Sequence, residues 1–183
     1  APSGIELIET VEQSAATVPA VLSVVGERHE MADAIIIAAF SDPGLAEARK
    51  AASCPVFGIS EAAMKTAVGV AERFAIITLG SELGEAIKTN AETYGVAENL
   101  TEVRILPWTV TEVSADPQAH EKAFAEACQQ AVAEDGVGAV IIGGGPLSGI
   151  ADAIADDLPI PVLDGVRCAV TLIQKLWRER SIL

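Results

Sequence analysis

Residues 33–49 read DAIIIAAFSDPGLAEAR, and residues 139–151 read AVIIGGGPLSGIA. Each opens with a run of Ile, Val and Ala, passes through a loop of Gly, Pro, Ser or Asp, and enters a stretch with helical spacing. Short apolar runs closed by turn formers are the mark of strands buried on both faces. A second strand and helix follow each: PVFGISEAAM at 55–64 and IPVLDGVRCAVTL at 160–172. One layout, strand–helix–strand–helix, thus runs from Asp33 to Glu72 and again from Gly138 to Glu179. Alternation of this kind predicts an α/β fold with parallel sheets.

Two further apolar runs, Phe74–Leu79 and Val103–Leu106, lie between the halves. Helices are expected over 17–28, 44–52, 60–71, 82–94, 117–135, 147–156 and 166–179. Ser60 is placed to cap a helix beginning at Glu61, and Asp116-Pro117 to start another. Gly95 and Gly136 are natural stops. With no linker between the halves, the expected architecture is two pseudo-symmetric lobes. Each is a mostly parallel sheet flanked by helices, with a cleft between the lobes. Lobe one takes 1–72 and the C-terminal helix 166–183; lobe two takes 73–165.

The composition sets bounds on partners. The chain has 183 residues, half of them hydrophobic, enough for one sizeable core but not for several domains. Alanine occurs 32 times and aromatic residues make up only 4%, so the core is one of small side chains. Twelve basic against 26 acidic residues give a net charge of −14, which repels nucleic acid and anionic lipid. No apolar run is long enough for a transmembrane helix, and residues 1–13 lack the features of a signal peptide. Cys54, Cys128 and Cys168 are too sparse and irregular for a disulfide framework, and no CxxC or HxxxH pair suggests a metal. A reducing, cytoplasmic setting is expected. His29 and His120 read as solvated or packed residues on helices.

Ligands of open parallel sheets bind at the carboxyl ends of the strands. Four loops lie there: Phe40–Gly44, Ser60–Glu61, Gly143–Pro146 and Asp164–Gly165. Ser41-Asp42-Pro43-Gly44 suits a turn in which Asp42 accepts N–H bonds at the next helix start, or a loop touching ligand through Ser41. Glu61 either favours a helix dipole or orients a substrate amide or ammonium. Thr78 can donate its hydroxyl to a ligand or to its own loop. Gly143, Gly144 and Gly145 offer bare amides to a carboxylate or similar small anion. Their dinucleotide look is set aside, because only one strand and one helix remain after them. Asp164 can cap the final helix and also stand beside the pocket.

Together, F-x-DPGL at 40–45, G-I-x-E-A-A at 58–63, RFAIITL at 73–79, AVIIGGGPL at 139–147 and PV-x-DGV at 161–166 resemble the aspartate/glutamate/hydantoin racemase superfamily, nearest the hydantoin and allantoin branch. The resemblance runs from about Ser3 to Leu176. It implies a cofactor-independent enzyme in which two cysteines, one per lobe, face opposite sides of a carbon next to a carbonyl. One thiolate removes the proton and the other thiol delivers one. It also implies self-association, and an opening strand with an Asn-Pro-Asn-type loop that is missing from these residues. At the two cysteine positions this sequence has Ala39 and Gly144. Cys168, in the first turn of the last helix, is either a small packing residue or a thiol whose pKa is lowered by the helix start.

Three functions stay open. The first is a racemase or isomerase of an amino-acid or hydantoin-like substrate, with the two-thiol route closed. The second is a lyase or hydrolase of a small carboxylic acid that uses Asp42, Glu61 or Asp164 with water. The third is a binding protein that keeps the pocket without the chemistry.

Overall fold

The structure is a computed structural model that describes residues 5–80 and 82–180. Its strands form two parallel sheets. In the smaller, β1 (Ile35–Ile37) pairs with β2 (Val56–Gly58). The larger contains β3 (Phe74–Thr78), β4 (Leu100–Ile105), β5 (Ala139–Gly143) and β6 (Val162–Asp164), in the order β4-β3-β5-β6. Every residue of β3 and β5 is buried, as a strand covered on both faces must be.

Alternation of side chains along β3 and β5 sorts the core into two layers. Phe74, Ile76, Ala139 and Ile141 face a layer built by α3 (Ile59–Val70), α4 (Gly84–Thr93) and α8 (Gly165–Arg180). Ala75, Ile77, Val140 and Ile142 face α5 (Val110–Ala115), α6 (Pro117–Gln130) and α7 (Ile150–Ile154). A third cluster joins α1 (Val11–Arg28) and α2 (Leu45–Ala51) to the small sheet through Val25, Ile37, Leu45, Ala48 and Val56. Small residues do the packing expected of them: Ala62, Ala63 and Ala67 of α3 and Ala169 of α8 are buried in one cluster.

Several boundaries differ from the sequence reading, each for a local reason. α1 begins at Val11, because Thr10 and Gln13 form a reciprocal capping box ahead of the apolar positions. α5 is an added helix, started by the same device between Thr109 and Glu112. β1 stops at Ile37, since the chain turns back at Ala39, whose carbonyl accepts from the Asp42 N–H. α3 starts at Ile59 with Gly58 ahead of it, so Ser60 lies inside the helix and does not cap it. The α6 start at Asp116-Pro117 and the left-handed glycines at 95 and 136 match expectation. Among the described residues, no helix is long and apolar enough to cross a membrane.

Candidate functional site

The tips of β1 and β5 meet. Residues 38–41 follow β1, residues 143–147 follow β5, and between them lies a cavity of 190 Å³. Ala39 and Gly144, the two positions singled out by the sequence, both line it. Phe40, Ser41, Thr78, Gly143, Gly145 and Pro146 complete the expected residues found there. Apolar walls come from Leu79, Leu83, Ile87 and Val110, and the segment Ile5–Ile8 adds a further side.

The glycine run is explained by contact between the sheets. A β-carbon on Gly145 would lie 2.2 Å from the Ala38 carbonyl oxygen, and one on Gly143 would lie 2.8 Å from the Phe40 ring. Gly144 has φ +154 and ψ 131, backbone that side-chain-bearing residues rarely adopt. A β-carbon there would also press to 3.0 Å against Leu147. The Thr78 hydroxyl donates to the Gly143 carbonyl at 2.5 Å, holding the end of β5 onto β3.

The three carboxylates proposed from sequence lie outside this lining. Asp42, at φ +48, turns its buried side chain away from α2 and accepts the N–H groups of Ser60 (3.1 Å) and Glu61 (2.8 Å). It therefore caps α3 across the chain, where the sequence placed it at the start of the nearer helix α2. Tyr94 adds its hydroxyl at 2.7 Å. Burial pushes the Asp42 carboxyl up to about 6, against the pull of these three donors. The same burial, with the Asp42 charge beside it, raises the Tyr94 phenol. Ser60, displaced from the capping role, has a buried hydroxyl with no hydrogen-bond partner among the described residues.

Glu61 is held by Arg49 at 2.5 Å and Lys65 at 2.6 Å. Burial opposes its ionisation, but these two cations outweigh that and keep the carboxyl below its ordinary range. Asp164 accepts from the Arg167 N–H at 2.8 Å and the Gly149 N–H at 3.0 Å, so it caps α8 as read. Gly165 is a packing glycine: a β-carbon would stand 2.9 Å from the Ile59 carbonyl oxygen.

Of the two readings of Cys168, the burial agrees with the small packing residue. It is buried in the α3–α8 layer, away from the cavity, and burial raises its pKa despite a hydrogen bond to Thr66. Desolvation here outweighs both that bond and the nearby Arg167 charge. Cys128 is likewise pushed up to about 12 by burial. His29 Nδ1 pairs with Ser53 Oγ at 2.9 Å, and His120 stacks edge-on against Trp108 at 5.0 Å. Among the described residues, no three His, Cys, Asp or Glu side chains are grouped to hold a metal.

Two residues at the site were not anticipated. Ser14 of α1 donates its hydroxyl to Ser41 Oγ at 2.7 Å, and Asn90 of α4 donates to the Ser41 carbonyl at 3.0 Å. Neither belongs to a motif. Only the early start of α1, signalled by Thr10 and Gln13, brings Ser14 into register. Chemically, the cavity offers a hydroxyl, backbone groups and apolar walls. Among the described residues lining it there is no thiol and no Lys, Arg or His, and Glu6 brings an acidic side chain.

Comparison with known proteins agrees with this geometry. The family described as Asp/Glu/Hydantoin racemase matches residues 1–173. A hydantoin racemase of Rhizobium meliloti is 34% identical over 171 residues, which span 92% of this chain and 70% of that protein. The allantoin racemase of Klebsiella pneumoniae superposes with a TM-score of 0.91 at 32% identity, covering 96% of this chain and 72% of its own. That of Pseudomonas fluorescens gives 0.90 at 27% identity, covering 96% and 75%.

Proposed function

Since this chain belongs to the Asp/Glu/hydantoin racemase family, in its hydantoin and allantoin branch, we propose that the cavity between the β1 and β5 tips binds a small, uncharged, hydantoin-like ring. We further propose that it does so without the paired-thiol proton exchange. The observation that carries this is the lining itself: Ala39 and Gly144 stand at its two walls, where neither a methyl group nor a hydrogen atom can take or give a proton.

The absence of Lys, Arg and His from the described lining argues for a neutral ligand over a carboxylate. An anion brought out of water needs a paired charge or several strong donors, and Glu6 would repel it. A cyclic amide needs only hydrogen bonds, which Ser41 and the loop backbone can supply. The lyase or hydrolase reading loses its reagents, because Asp42, Glu61 and Asp164 are engaged with backbone N–H groups or cations outside the cavity. In this reading the lobes divide near residues 72 and 165, and each contributes one tip.

The test uses 5-methylhydantoin as probe. Calorimetric titration is expected to show binding, and NMR in deuterated buffer no loss of the C5 proton signal beyond the rate without protein. Protein-dependent exchange would overturn the thiol-free reading. Failure to bind would overturn the ligand assignment.

A further inference from the structure

Among the described residues, Ser41 brings the one hydroxyl on the β1 side of the cavity, and it is gripped from two helices. Ser14 donates to its Oγ at 2.7 Å, and Asn90 donates to its carbonyl at 3.0 Å. A serine hydroxyl has one proton to give and two lone pairs to fill. With Ser14 as donor, one lone pair is occupied and the proton remains. Apart from Ser14 Oγ itself, no protein acceptor among the described residues is in reach of it. Asn90 fixes the backbone from which the hydroxyl projects.

We propose that Ser14 is a positioning residue, whose hydroxyl holds Ser41 Oγ so that the Ser41 proton is presented to a carbonyl oxygen of the ring in the cavity. The assignment rests on the proposed function and deepens it. Ser14 touches no ligand itself; it acts through Ser41. Helix α1 itself does not require the hydroxyl, because alanine has the higher helix propensity at that position. A merely structural role, tying α1 to the loop, therefore predicts that Ser14→Ala lowers the melting temperature but leaves binding unchanged.

The experiment is a double-mutant cycle read by calorimetric titration of 5-methylhydantoin into the wild type, Ser14→Ala, Ser41→Ala and the double variant. Thermal melts show that each is folded. Loss of one hydrogen bond to a neutral acceptor is expected to weaken binding roughly five-fold in Ser41→Ala. Ser14→Ala is expected to weaken it about two- to three-fold. The double variant is expected to be no weaker than Ser41→Ala alone, because Ser14 has no path to the ligand once Ser41 is gone. Ser14→Thr, which keeps the hydroxyl, is expected to restore wild-type affinity. An unchanged affinity in Ser14→Ala, or losses that multiply in the double variant, overturns the positioning role while leaving the proposed function standing. Wild-type protein that does not bind overturns both.

Discussion

Asp42 and Gly58 occupy each other's space: a β-carbon on Gly58 would lie 2.3 Å from Asp42 Cγ and 2.4 Å from its Oδ2. Asp42 can cap α3 only because β2 ends in a residue without a side chain. Gly58→Ala is expected to expel the carboxylate from its two N–H donors and leave the start of α3 uncapped. The loss in urea denaturation should be about 3 kcal/mol or more. A loss near that of an ordinary strand substitution would show that the carboxylate has somewhere else to go.

The same carboxylate gives a pH signature. Its pKa is raised from 3.8 unfolded to about 6 folded, so between those values the folded chain holds more protons. Stability supplied by Asp42 must then fall as pH rises through that window. Glu61 works the other way: its folded pKa is lowered, so its contribution is lost as pH falls through the acidic range. Denaturation midpoints measured from pH 4 to 7 should decline less steeply in Asp42→Asn than in the wild type. Parallel curves would assign the slope to other groups.

Gly144→Cys is expected to be strained even though it points a side chain at an open cavity wall. The backbone at φ +154 and the 3.0 Å approach to Leu147 each oppose it. A loss of about 1–3 kcal/mol in thermal or chemical denaturation is expected. Adding Leu147→Ala should relieve the steric part but not the backbone part, although it opens a void of its own. Ala39→Cys meets neither obstacle and should leave the fold intact with a thiol that iodoacetamide alkylates.

Gly145→Ala should be the more damaging glycine substitution. Its β-carbon would meet a backbone oxygen at 2.2 Å, and backbone cannot swing aside as Leu147 can. Separation of the β1 and β5 tips is expected, with loss of 5-methylhydantoin binding and a stability loss of at least about 3 kcal/mol. Intact binding in a stable Gly145→Ala variant would contradict the contact.

The parallel strands and most helices are legible in the sequence, because runs such as Ala139–Gly143 are apolar without interruption and turn formers bound them. The start of α1 is less visible. Residues 11–16 are largely polar or small, so apolar periodicity sets in later, and the Thr10–Gln13 cap is the sole early signal. At the site, the strand tips at Ala39 and Gly144 are identified because motifs flank them. The destinations of Asp42 and Glu61 are not, because each is decided by a partner outside its own loop: Tyr94 on α4 for Asp42 and Arg49 on α2 for Glu61. Ser14 and Asn90 are invisible for the same reason, since single polar residues on helices announce nothing until the helices are docked.

The close approach of Gly145 to the Ala38 carbonyl sets the two sheets main chain against main chain. The gap between them is thereby a property of the scaffold and not of what decorates it. The walls of such a chamber, positions 39 and 144 among them, can be repainted without resizing the room. A change of lining leaves the aperture at its old dimensions, ready for another guest.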